Sequence, residues 1–416
     1  MAAINSTSIR IFVVYALGVM AAMTVSEAVT ELGAIAHEFE LKDHGHVGII
    51  MSLPSLMVAL GALMAGYLVD RTGDRAVLLT GALIIVIGDV LVIAAPSWGL
   101  LLAGRVVTGV GYVLTAVAAV TLLIRMTTGK QRTMVMALWS TFVPASFLLP
   151  FISAGVAEYF HTWRAAFIGH SVLTLVLAFL ALLCLDQRTA EQKAQFSRTR
   201  GLSTVLKSPL PYLLGISFGA DAFIQTGMIS SLTPFLAKTY GVPAVQVAHW
   251  NVGAMLANAV GCLMVGALLN RGIRATMVAG TGIVLAAASA LLIYLVPIGF
   301  IASIAASWIF MFSSGLLVGM WALAPVVAPS RESTGATSGL ITQITLVGVF
   351  LGPPLFIGAL HSGDIPRMAW MVVIGLAVCL VAIPVWLRGP THKPGDQNVG
   401  DNADTQKQND KLGAVR

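Results

Sequence analysis

The chain has 416 residues, of which 57% are hydrophobic and only 10% are charged. Soluble proteins carry about 25% charged residues, so this composition excludes an ordinary soluble enzyme and a disordered chain. A membrane-spanning helix needs about 20 apolar residues, and the apolar content is enough for about twelve such helices with their loops. The formal net charge is +6, which basic loops on one side of a membrane explain without a nucleic-acid partner.

Apolar segments long enough to cross a bilayer follow one another in two sets of six. The first set covers residues 11–32, 47–69, 77–95, 98–123, 134–157 and 165–185. The second set covers residues 210–236, 247–269, 276–297, 299–327, 335–359 and 368–387. These segments predict an all-α membrane protein with twelve transmembrane helices.

Two polar stretches divide the chain. Residues 186–208 are charged and separate the two sets, so we predict six-helix bundles at 1–185 and 209–387 with a cytoplasmic linker at 186–208 between them. Residues 388–416 are rich in Gly, Asp, Gln and Lys, and they have too few apolar side chains to form a core. We predict a disordered cytoplasmic tail there.

The basic residues fall mainly on one side of this topology. If the N-terminus is cytoplasmic, 19 of the 24 Lys and Arg residues lie in cytoplasmic segments, four lie on the other side and Arg105 lies inside a span. Cytoplasmic loops of membrane proteins collect Lys and Arg, so we predict that both termini are cytoplasmic. The lack of a large extracellular segment is typical of a bacterial inner-membrane protein.

The sequence has no catalytic or cofactor pattern. The cysteines Cys184, Cys262 and Cys379 lie inside apolar segments without the spacing of a metal site or a disulfide framework. His37 and Glu38 are not followed by the second histidine of a zinc helix, and no G-x-x-x-x-G-K-[ST] phosphate loop occurs. We therefore predict no metal, no cofactor and no enzymatic activity, and any transport must be driven by a gradient.

Two patterns recur in the second half of the chain. Residues 66–75 (GYLVDRTGDR) end the second segment, and residues 266–274 (GALLNRGIR) end the eighth, 200 residues later. Pro150 and Gly155 in the fifth segment are matched by Pro353 and Gly358 in the eleventh. The nearly equal offsets indicate duplicated halves. Transporters built from repeats bind their solute at the repeat interface near the midplane of the membrane.

On these residues the chain resembles the major facilitator superfamily over residues 10–388. The resemblance rests on the 66–75 pattern, its copy at 266–274, and Arg105, Gly109 and Gly111 in the fourth segment. It implies two six-helix bundles around a solute cavity lined by the first and seventh helices, and transport by alternating access. It also implies that Arg105 takes part in proton coupling or substrate binding.

The chain departs from one pattern of that family and resembles one branch weakly. Around Pro150, Leu149, Ser153 and Ala154 replace the glycines of the family's antiporter pattern. Residues 139–144 (WSTFVP) and 352–354 (GPP) give a weak similarity to the cyanate-transporter-like branch.

The 66–75 pattern has the chemistry of a gating loop. Gly73 supplies backbone freedom to a short turn, and Asp70 is placed to accept from helix N-terminal amides or to pair with an arginine of a neighbouring helix. We expect such contacts to stabilise one of the two access states. Alternatively, Arg71 and Arg75 only set the topology. The copy has Asn270 in place of the acid, so we expect a weaker contact there. The gating-loop residues are Gly66, Asp70, Arg71, Gly73, Arg75, Asn270 and Arg271.

Arg105 is the most informative single residue. A guanidinium stays charged, and placing it in the membrane core costs about 2.5 to 3.5 kcal/mol, so it needs a partner. Glu27 and Glu31 are four residues apart in the first segment and are expected on one helical face. We predict a contact between Glu27 and Arg105. It is either a site of proton coupling or a purely structural ion pair.

Two further acids, Asp89 and Asp221, lie within apolar segments. A buried carboxyl group can hold a proton and release it when water or an arginine approaches. The resemblance implies that the first and seventh helices line the cavity, which ranks Asp221 above Asp89, and the order of candidate proton carriers is Asp221, Glu27 and Asp89. For Asp89, a buried hydrogen bond without a transport role is an equal alternative.

Other polar residues are candidates for the cavity wall, although Asn and Gln often only join helices in membranes. Histidine is the side chain that most often senses protons near neutral pH, which makes His170 and His249 candidates, but a lone membrane histidine more often packs or caps a helix. The candidate lining residues are Tyr112, Trp139, Gln225, His249, Asn251, Asn258 and Gln343.

Taken together, the sequence predicts a monomeric secondary transporter whose partners are a small solute, protons and the lipid bilayer. A cavity arginine favours a small organic anion, whereas the membrane acids favour cations or protons. We expect proton-coupled transport of an organic anion first, and proton-driven export of drugs or metabolites second. A solute sensor would require a signalling domain, which the short polar tail does not provide.

Overall fold

The computed structural model describes residues 7–28, 31–41, 49–186 and 201–390. These ranges contain helices and turns without a β-strand, and twelve helical spans are long and apolar enough to cross a membrane. The predicted all-α, twelve-span fold is confirmed. Lys42, most of the predicted linker and the predicted tail from residue 391 onward lie outside the described residues.

The first six spans are continuous helices except for the fifth, which has a break before Phe142. They are α1 (Thr7–Ser26), α2 (Ile49–Thr72), α3 (Asp74–Ile93), α4 (Trp98–Met126), α5 (Gly129–Trp139 continued by Phe142–Phe160) and α6 (Arg164–Cys184).

The last six spans repeat this arrangement, and two of them contain a 3-10 turn. They are α7 (Pro209–Tyr240), α8 (Ala244–Asn270), α9 (Ala275–Leu295), α10 (Phe300–Val318, continued to Val327), α11 (Thr334–His361) and α12 (Ile365–Cys379, continued to Trp386).

The first span is shorter than the sequence predicts. The α1 helix ends at Ser26, Glu27 follows in a turn, and Glu31 precedes a separate short helix, Leu32–Glu38. Glu27 and Glu31 therefore do not share one face of the first helix, and that prediction is wrong. Composition hides the break because the short helix also buries apolar side chains, Ile35 and Ala36, against α3, α4 and α6.

Small residues bring α3 and α4 into close contact. A Cβ atom added at Gly88 would lie within 2.9 Å of the Gly104 carbonyl oxygen, and one added at Gly111 would lie 2.7 Å from that of Gly81. Neither position therefore accepts a larger side chain. Such small-residue contacts allow helix backbones in membranes to approach closely, and here they fix α4 inside the first half.

The two halves meet at the end of the bundle where α2 turns into α3 at Gly73, which we call the latch end. There α2 packs on α11, with the Leu63 backbone N–H donating to Oε1 of Gln343 at 3.0 Å. At the same end α5 packs on α8, where a Cβ atom at Gly266 would lie 2.7 Å from Ala137. These two contacts are related by the repeat, because α8 corresponds to α2 and α11 to α5.

Candidate functional site

A cavity of about 140 Å³ lies between the two halves. Its wall comes from α1, α2, α4 and α5 on one side and from α7, α8, α10 and α11 on the other. No charged residue is among the described residues that line it, and its polar groups are hydroxyls, amides and indoles. Such a cavity is suited to a small solute that combines apolar faces with hydrogen-bonding groups.

Four of the predicted lining residues reach this cavity, namely Tyr112, Trp139, Gln225 and Asn258. The other three lie elsewhere. His249 is exposed, Asn251 donates to Oγ1 of Thr233 at 2.8 Å beside a separate small cavity, and Gln343 accepts from Leu63 between α2 and α11. For Asn251 and Gln343, helix-joining hydrogen bonds take the place of solute contact.

Two aromatic pairs flank the cavity, one from each half. Trp139 and Phe142 of α5 stack with their ring centroids 4.4 Å apart. Phe218 of α7 and Trp321 of α10 stack at 5.3 Å. All four rings line the cavity. They present flat apolar faces to the space between the halves. The sequence did not single out Trp321, because a tryptophan in a lipid-facing helix gives the same pattern.

Arg105 is fully buried and ion-paired. Its Nη1 donates to Oε1 of Glu27, as the sequence predicts, and its Nη2 donates to the Thr24 carbonyl. Its Nε donates to the Ile50 carbonyl at 3.1 Å. The last carbonyl groups of a helix lack intrahelical hydrogen-bond donors. Arg105 supplies a donor to one of them, the Thr24 carbonyl near the end of α1. It does not line the cavity, so the expectation of an arginine facing the solute is not met in this conformation.

His170 of α6 joins the same buried group. Its Nδ1 lies 2.7 Å from Oδ2 of Asp89 and 2.8 Å from Oε2 of Glu27. Its Nε2 lies 2.9 Å from the Met20 carbonyl oxygen. We call Glu27, Asp89, Arg105 and His170 the buried ion cluster, and each of them is at most 1% exposed. His170 therefore contacts two carboxylates, whereas a lone membrane histidine usually only packs or caps a helix.

The helix α1 separates the buried ion cluster from the cavity. The carbonyls of Met20 and Thr24 face the cluster, while Ala22 and Val25 line the cavity. Ser26, which follows, donates to the Ser146 carbonyl at 2.7 Å. About two helical turns of α1 thus contact both sites, so a change in either site acts on the same segment of backbone.

The ligand-type atoms of Glu27, Asp89 and His170 lie within 4.8 Å of one another. The His170 to carboxylate separations of 2.7 and 2.8 Å are hydrogen-bond distances. Ligands that share one Zn²⁺ each lie about 2.0 to 2.2 Å from it, so tetrahedral neighbours stand about 3.3 Å apart. Arg105 already provides a positive charge here. The geometry is therefore that of an ion-paired hydrogen-bond network.

Asp221 lies apart from this cluster, in α7. It is fully buried, and Ser314 of α10 donates to its Oδ2 at 2.9 Å. Its Oδ1 has no hydrogen-bond partner in the described part of the chain. The neighbouring residue Ala222 lines the cavity. Asp221 is therefore next in sequence to a residue of the cavity wall but does not itself line the cavity.

Asp70 joins the two halves at the latch end. Its Oδ1 and Oδ2 accept from the backbone N–H groups of Gly335 and Ala336, at 2.9 and 2.8 Å. These N–H groups are in the first turn of α11, where they lack intrahelical partners and carry a partial positive charge. Arg125 of α4 donates to Asp70 at 2.6 Å and also to Asp74. We call Asp70, Asp74, Arg125 and the first turn of α11 the latch.

The glycines of the gating loop serve the latch, and its arginines do not cross to the other half. Gly73 has φ +111°, which favours glycine, and Gly66 packs directly on the Gly335 backbone. Arg71 donates to the Tyr67 hydroxyl at 2.8 Å on its own helix. Arg75 donates to the Leu182 carbonyl at 2.7 Å within the first half.

The repeat-related contact at α8 is weaker, as the sequence suggests. Asn270 donates through Nδ2 to the Lys130 carbonyl at 3.1 Å, near the start of α5. This is one neutral hydrogen bond at an exposed position, whereas Asp70 accepts three. Arg271 follows at the exposed surface. The duplicated halves therefore contact each other asymmetrically.

Another ion pair lies at the opposite end of the bundle. Arg164 at the start of α6 donates to both carboxylate oxygens of Glu38, at 2.6 and 2.9 Å. The Trp163 indole donates to the same carboxylate at 2.6 Å. The hydrogen bonds from Arg164 lower the pKa of Glu38 below its ordinary value. The short helix Leu32–Glu38 is thereby tied to α6. Glu31, at the start of that helix, is half-buried and lies outside the buried ion cluster.

The twelve-span fold, the central cavity and the duplicated halves define a membrane transporter. A family model of the major facilitator superfamily matches residues 7–353. The chain belongs to the major facilitator superfamily.

Curated relatives match shorter parts of the chain. The myo-inositol transporter 1 of Candida albicans is 28% identical over 157 residues, which cover 38% of this chain and 28% of that protein. The arabinose-proton symporter of Escherichia coli is 29% identical over 136 residues, 33% of this chain and 29% of that one. The methylenomycin A resistance protein of Bacillus subtilis is 28% identical over 171 residues, 39% of this chain and 35% of that one. The chain thus spans about a third of these relatives.

Solved structures match nearly the whole fold. The human organic anion transporter MFSD10 has a TM-score of 0.70 at 12% identity, covering 92% of this chain and 100% of that one. The proton:xylose symporter XylE has a TM-score of 0.70 at 12% identity, covering 92% and 96%. The Escherichia coli fucose:proton symporter gives 0.68 at 16%, covering 89% and 98%. At such identities these matches establish the shared fold.

Proposed function

We propose that this protein is a proton-coupled secondary transporter that carries a small, uncharged organic solute by alternating access. The observation that carries the proposal is the segment of α1 from Met20 to Ser26. It separates the solute-sized cavity from the buried ion cluster and contacts both. A change in the protonation of Glu27 therefore acts on the same backbone segment that forms part of the cavity wall.

The chemistry of the cavity favours an uncharged solute over an organic anion. The expectation of an anion rested on an arginine in the cavity, and Arg105 is buried behind α1 instead. A charged solute entering this wall of hydroxyls, amides and aromatic rings would lose its hydration without gaining a counter-charge. Curated relatives named for myo-inositol and arabinose support a polyhydroxylated solute.

Proton coupling rests on the acids of the membrane interior. Glu27 pairs with Arg105 when it is ionised, and protonating it would weaken that pair and free the end of α1. Asp89 shares His170 with Glu27, whereas Asp221 lies apart from them beside the cavity wall and is the alternative proton site. The match to an arabinose-proton symporter supports the same assignment.

The latch is proposed to hold one access state. Its contacts close the halves together at the end where α2 meets α11. With the positive-inside orientation this is the cytoplasmic end, so the described conformation is closed to the cytoplasm. We further propose a monomer in a bacterial inner membrane, with bundles at 1–185 and 209–387, a linker at 186–208 and a tail at 388–416. Both termini are cytoplasmic in this arrangement.

Solute flux into proteoliposomes under imposed pH steps tests the coupling. A thermal-shift screen of the purified protein against polyols, sugars, carboxylates and cationic drugs first identifies the ligand, since a ligand of the folded state raises its apparent stability. We expect a polyol or sugar to give the largest shift, and a pH gradient to drive its accumulation. Flux that ignores pH contradicts the coupling, and a selective carboxylate restores the organic-anion expectation.

A matched pair of variants localises the effect. Glu27→Gln removes the acid that contacts Arg105 and is expected to abolish accumulation driven by a pH gradient. Glu31→Gln changes an acid only four residues further along, outside the buried ion cluster, and is expected to leave accumulation intact. Equal behaviour of the two variants would exclude Glu27 as a coupling group.

Proton-driven export is the second candidate. The observation that favours it is the 28% identity to the methylenomycin A resistance protein over 171 residues. The two candidates differ in the sign of the gradient that they require. Accumulation inside vesicles when the lumen is acidic relative to the medium indicates solute–proton exchange. Accumulation when the lumen is alkaline indicates uptake with protons.

A further inference from the structure

We propose that His170 holds one proton of the buried ion cluster in the described conformation, as an imidazolium between Glu27 and Asp89. This inference deepens the proposed function, on which it rests for the use of the proton. The hydrogen bonds and the charge balance of the cluster support the site independently of transport.

The hydrogen-bond inventory of the His170 ring requires a proton on each nitrogen. The neighbour of Nε2, at 2.9 Å, is the Met20 carbonyl oxygen. A carbonyl oxygen only accepts, so Nε2 carries a hydrogen. In a neutral imidazole Nδ1 would then be an acceptor with a lone pair.

The surroundings of Nδ1 do not suit a lone pair. Oδ2 of Asp89 and Oε2 of Glu27 lie 2.7 and 2.8 Å from it. If Nδ1 were an acceptor, only one carboxyl group at a time could donate to it, and the other oxygen would face a lone pair at contact distance. A protonated Nδ1 makes both contacts attractive. The imidazolium is therefore the state in which Nδ1 donates to Asp89 and makes a favourable charge contact with Glu27.

The charge balance of the cluster agrees with this assignment. The charged groups that face His170 are Glu27 after α1, Asp89 from α3 and, beyond Glu27, Arg105 from α4. Two carboxylates and one guanidinium leave a net charge of −1 in a group that is at most 1% exposed. One proton on His170 makes the cluster neutral, which is how buried charges are tolerated. Ser171 also donates to Asp89, at 3.3 Å, and adds no charge.

The proton position has a consequence for α1. The His170 ring holds the Met20 carbonyl and the Glu27 carboxylate, so it joins α6 to two points on the last turns of α1. Loss of the Nδ1 proton turns the contacts with Glu27 and Asp89 from attractive to repulsive. Glu27, just after α1, is then released from α6, while Nε2 of His170 still holds the Met20 carbonyl and Arg105 still holds the Thr24 carbonyl.

Nitrogen NMR of the protein in lipid nanodiscs, with ¹⁵N-labelled histidine, tests the proposal without any transport assay. The chain has eight histidines, and the signal lost in His170→Gln identifies His170. We expect both of its ring nitrogens to be protonated at pH 7. In Asp89→Asn we expect the imidazolium to lose its proton at a lower pH, which also assigns the signal if His170→Gln does not fold. His249→Gln, at an exposed position, is the matched control and should leave the signal unchanged.

Two results would overturn the proposal. The first is an unprotonated Nδ1 in His170 at pH 7. The second is a carboxylic acid C=O stretch in the infrared spectrum that disappears in Asp89→Asn, because it places the proton on the acid. Flux measurements decide the proposed function separately. An imidazolium combined with flux that ignores pH would leave this proton site standing and remove the coupling.

Discussion

Asp70 accepts a hydrogen bond at 2.9 Å from the backbone N–H of Gly335, a residue 265 positions further along the chain. This contact joins the end of α2 in the first half to the first turn of α11 in the second half. The Asp70 carboxylate accepts from backbone N–H groups at the N-terminus of α11. The contact therefore does not depend on a specific side chain of α11. The repeat-related position carries Asn270, so the acid is present in one half only.

Removing the charge of Asp70 is expected to open the latch end. Asp70→Asn keeps the shape but loses the ion pair with Arg125 and one backbone hydrogen bond. Charge-assisted hydrogen bonds are worth about 1.5 to 3 kcal/mol each, which is enough to shift a two-state equilibrium by tenfold or more. Spin labels at the exposed positions Thr72 and Arg331 measure the opening as a longer distance distribution.

The control for that experiment is Arg71→Gln. Arg71 belongs to the same loop pattern, but it bonds Tyr67 on its own helix. We expect its distance distribution to match that of the unsubstituted protein. If Arg71→Gln opened the latch end as much as Asp70→Asn, the loop would act through its net charge rather than through the latch geometry.

Gly66 is expected to be intolerant of even one methyl group. A Cβ atom there would overlap the backbone of Gly335, which cannot move away as a flexible side chain can. Gly66→Ala should therefore separate α2 from α11 and disfavour the state closed at the latch end. Gly61→Ala on the same helix is the control, since its Cβ would lie 3.8 Å from Val113, an ordinary contact. Similar spin-label distances in the two variants would refute the close-packing explanation.

Much of this architecture follows from the sequence, and the parts that do not have physical reasons. Continuous apolar segments give the spans, because the lipid core requires apolar side chains. The loop charges give the predicted orientation. The break after Ser26 escaped prediction because buried apolar residues continue in the next short helix. The pairing of Glu27 with Arg105 was predictable because an isolated membrane charge requires a partner.

The partners contributed by other helices were not predictable. His170 and Asp89 meet Glu27 only because α3 and α6 pack beside α1, and a single sequence has no signal for that packing. No separate role was predicted for Arg125, one of the 19 cytoplasmic basic residues, or for Asp74, one letter of the 66–75 pattern, yet they complete the latch. In the same way, sequence cannot decide how far the cavity extends along α8 or which face of α11 turns inward. Asn258 therefore reaches the cavity, while Asn251, seven residues away on the same helix face, and Gln343 do not.

Truncating the aromatic pair of the second half is expected to weaken solute binding. Phe218 and Trp321 stack at 5.3 Å beside the cavity, and a stacking partner is worth about 0.5 to 1.5 kcal/mol. Trp321→Ala should raise the Kd of the ligand found in the screen by roughly 2- to 12-fold, while Trp321→Phe should retain most of the affinity. Isothermal titration measures both. An unchanged Kd in Trp321→Ala would place the solute elsewhere.

The ion pair between Glu38 and Arg164 is expected to stabilise the protein only above acidic pH. The pKa of Glu38 is lowered in the folded state by Arg164, so the stabilisation is present above the pKa of the unfolded chain, about 4.3, and is lost as pH falls through the folded pKa. The Arg164 side chain is 27% exposed and the Glu38 side chain 40%, so the pair contributes about 1 kcal/mol or less. Glu38→Gln should lower Tm slightly at pH 7 and leave it unchanged well below pH 4. An equal loss of Tm at both pH values would show that the carboxylate charge is irrelevant.

Asp221 is expected to tolerate conversion to asparagine. Its buried carboxyl group receives one hydrogen bond, from Ser314, and its Oδ1 has no partner within the described ranges. An ionised carboxylate in such surroundings would be strongly destabilised, so the group is held neutral in this conformation. Asparagine is neutral, has nearly the same shape and can still accept from Ser314. Asp221→Asn should therefore fold with a similar Tm and retain pH-driven accumulation in proteoliposomes, in contrast to Glu27→Gln. If Asp221→Asn instead abolished the pH dependence while binding the solute normally, the coupling proton would belong to α7 and the buried ion cluster would be structural.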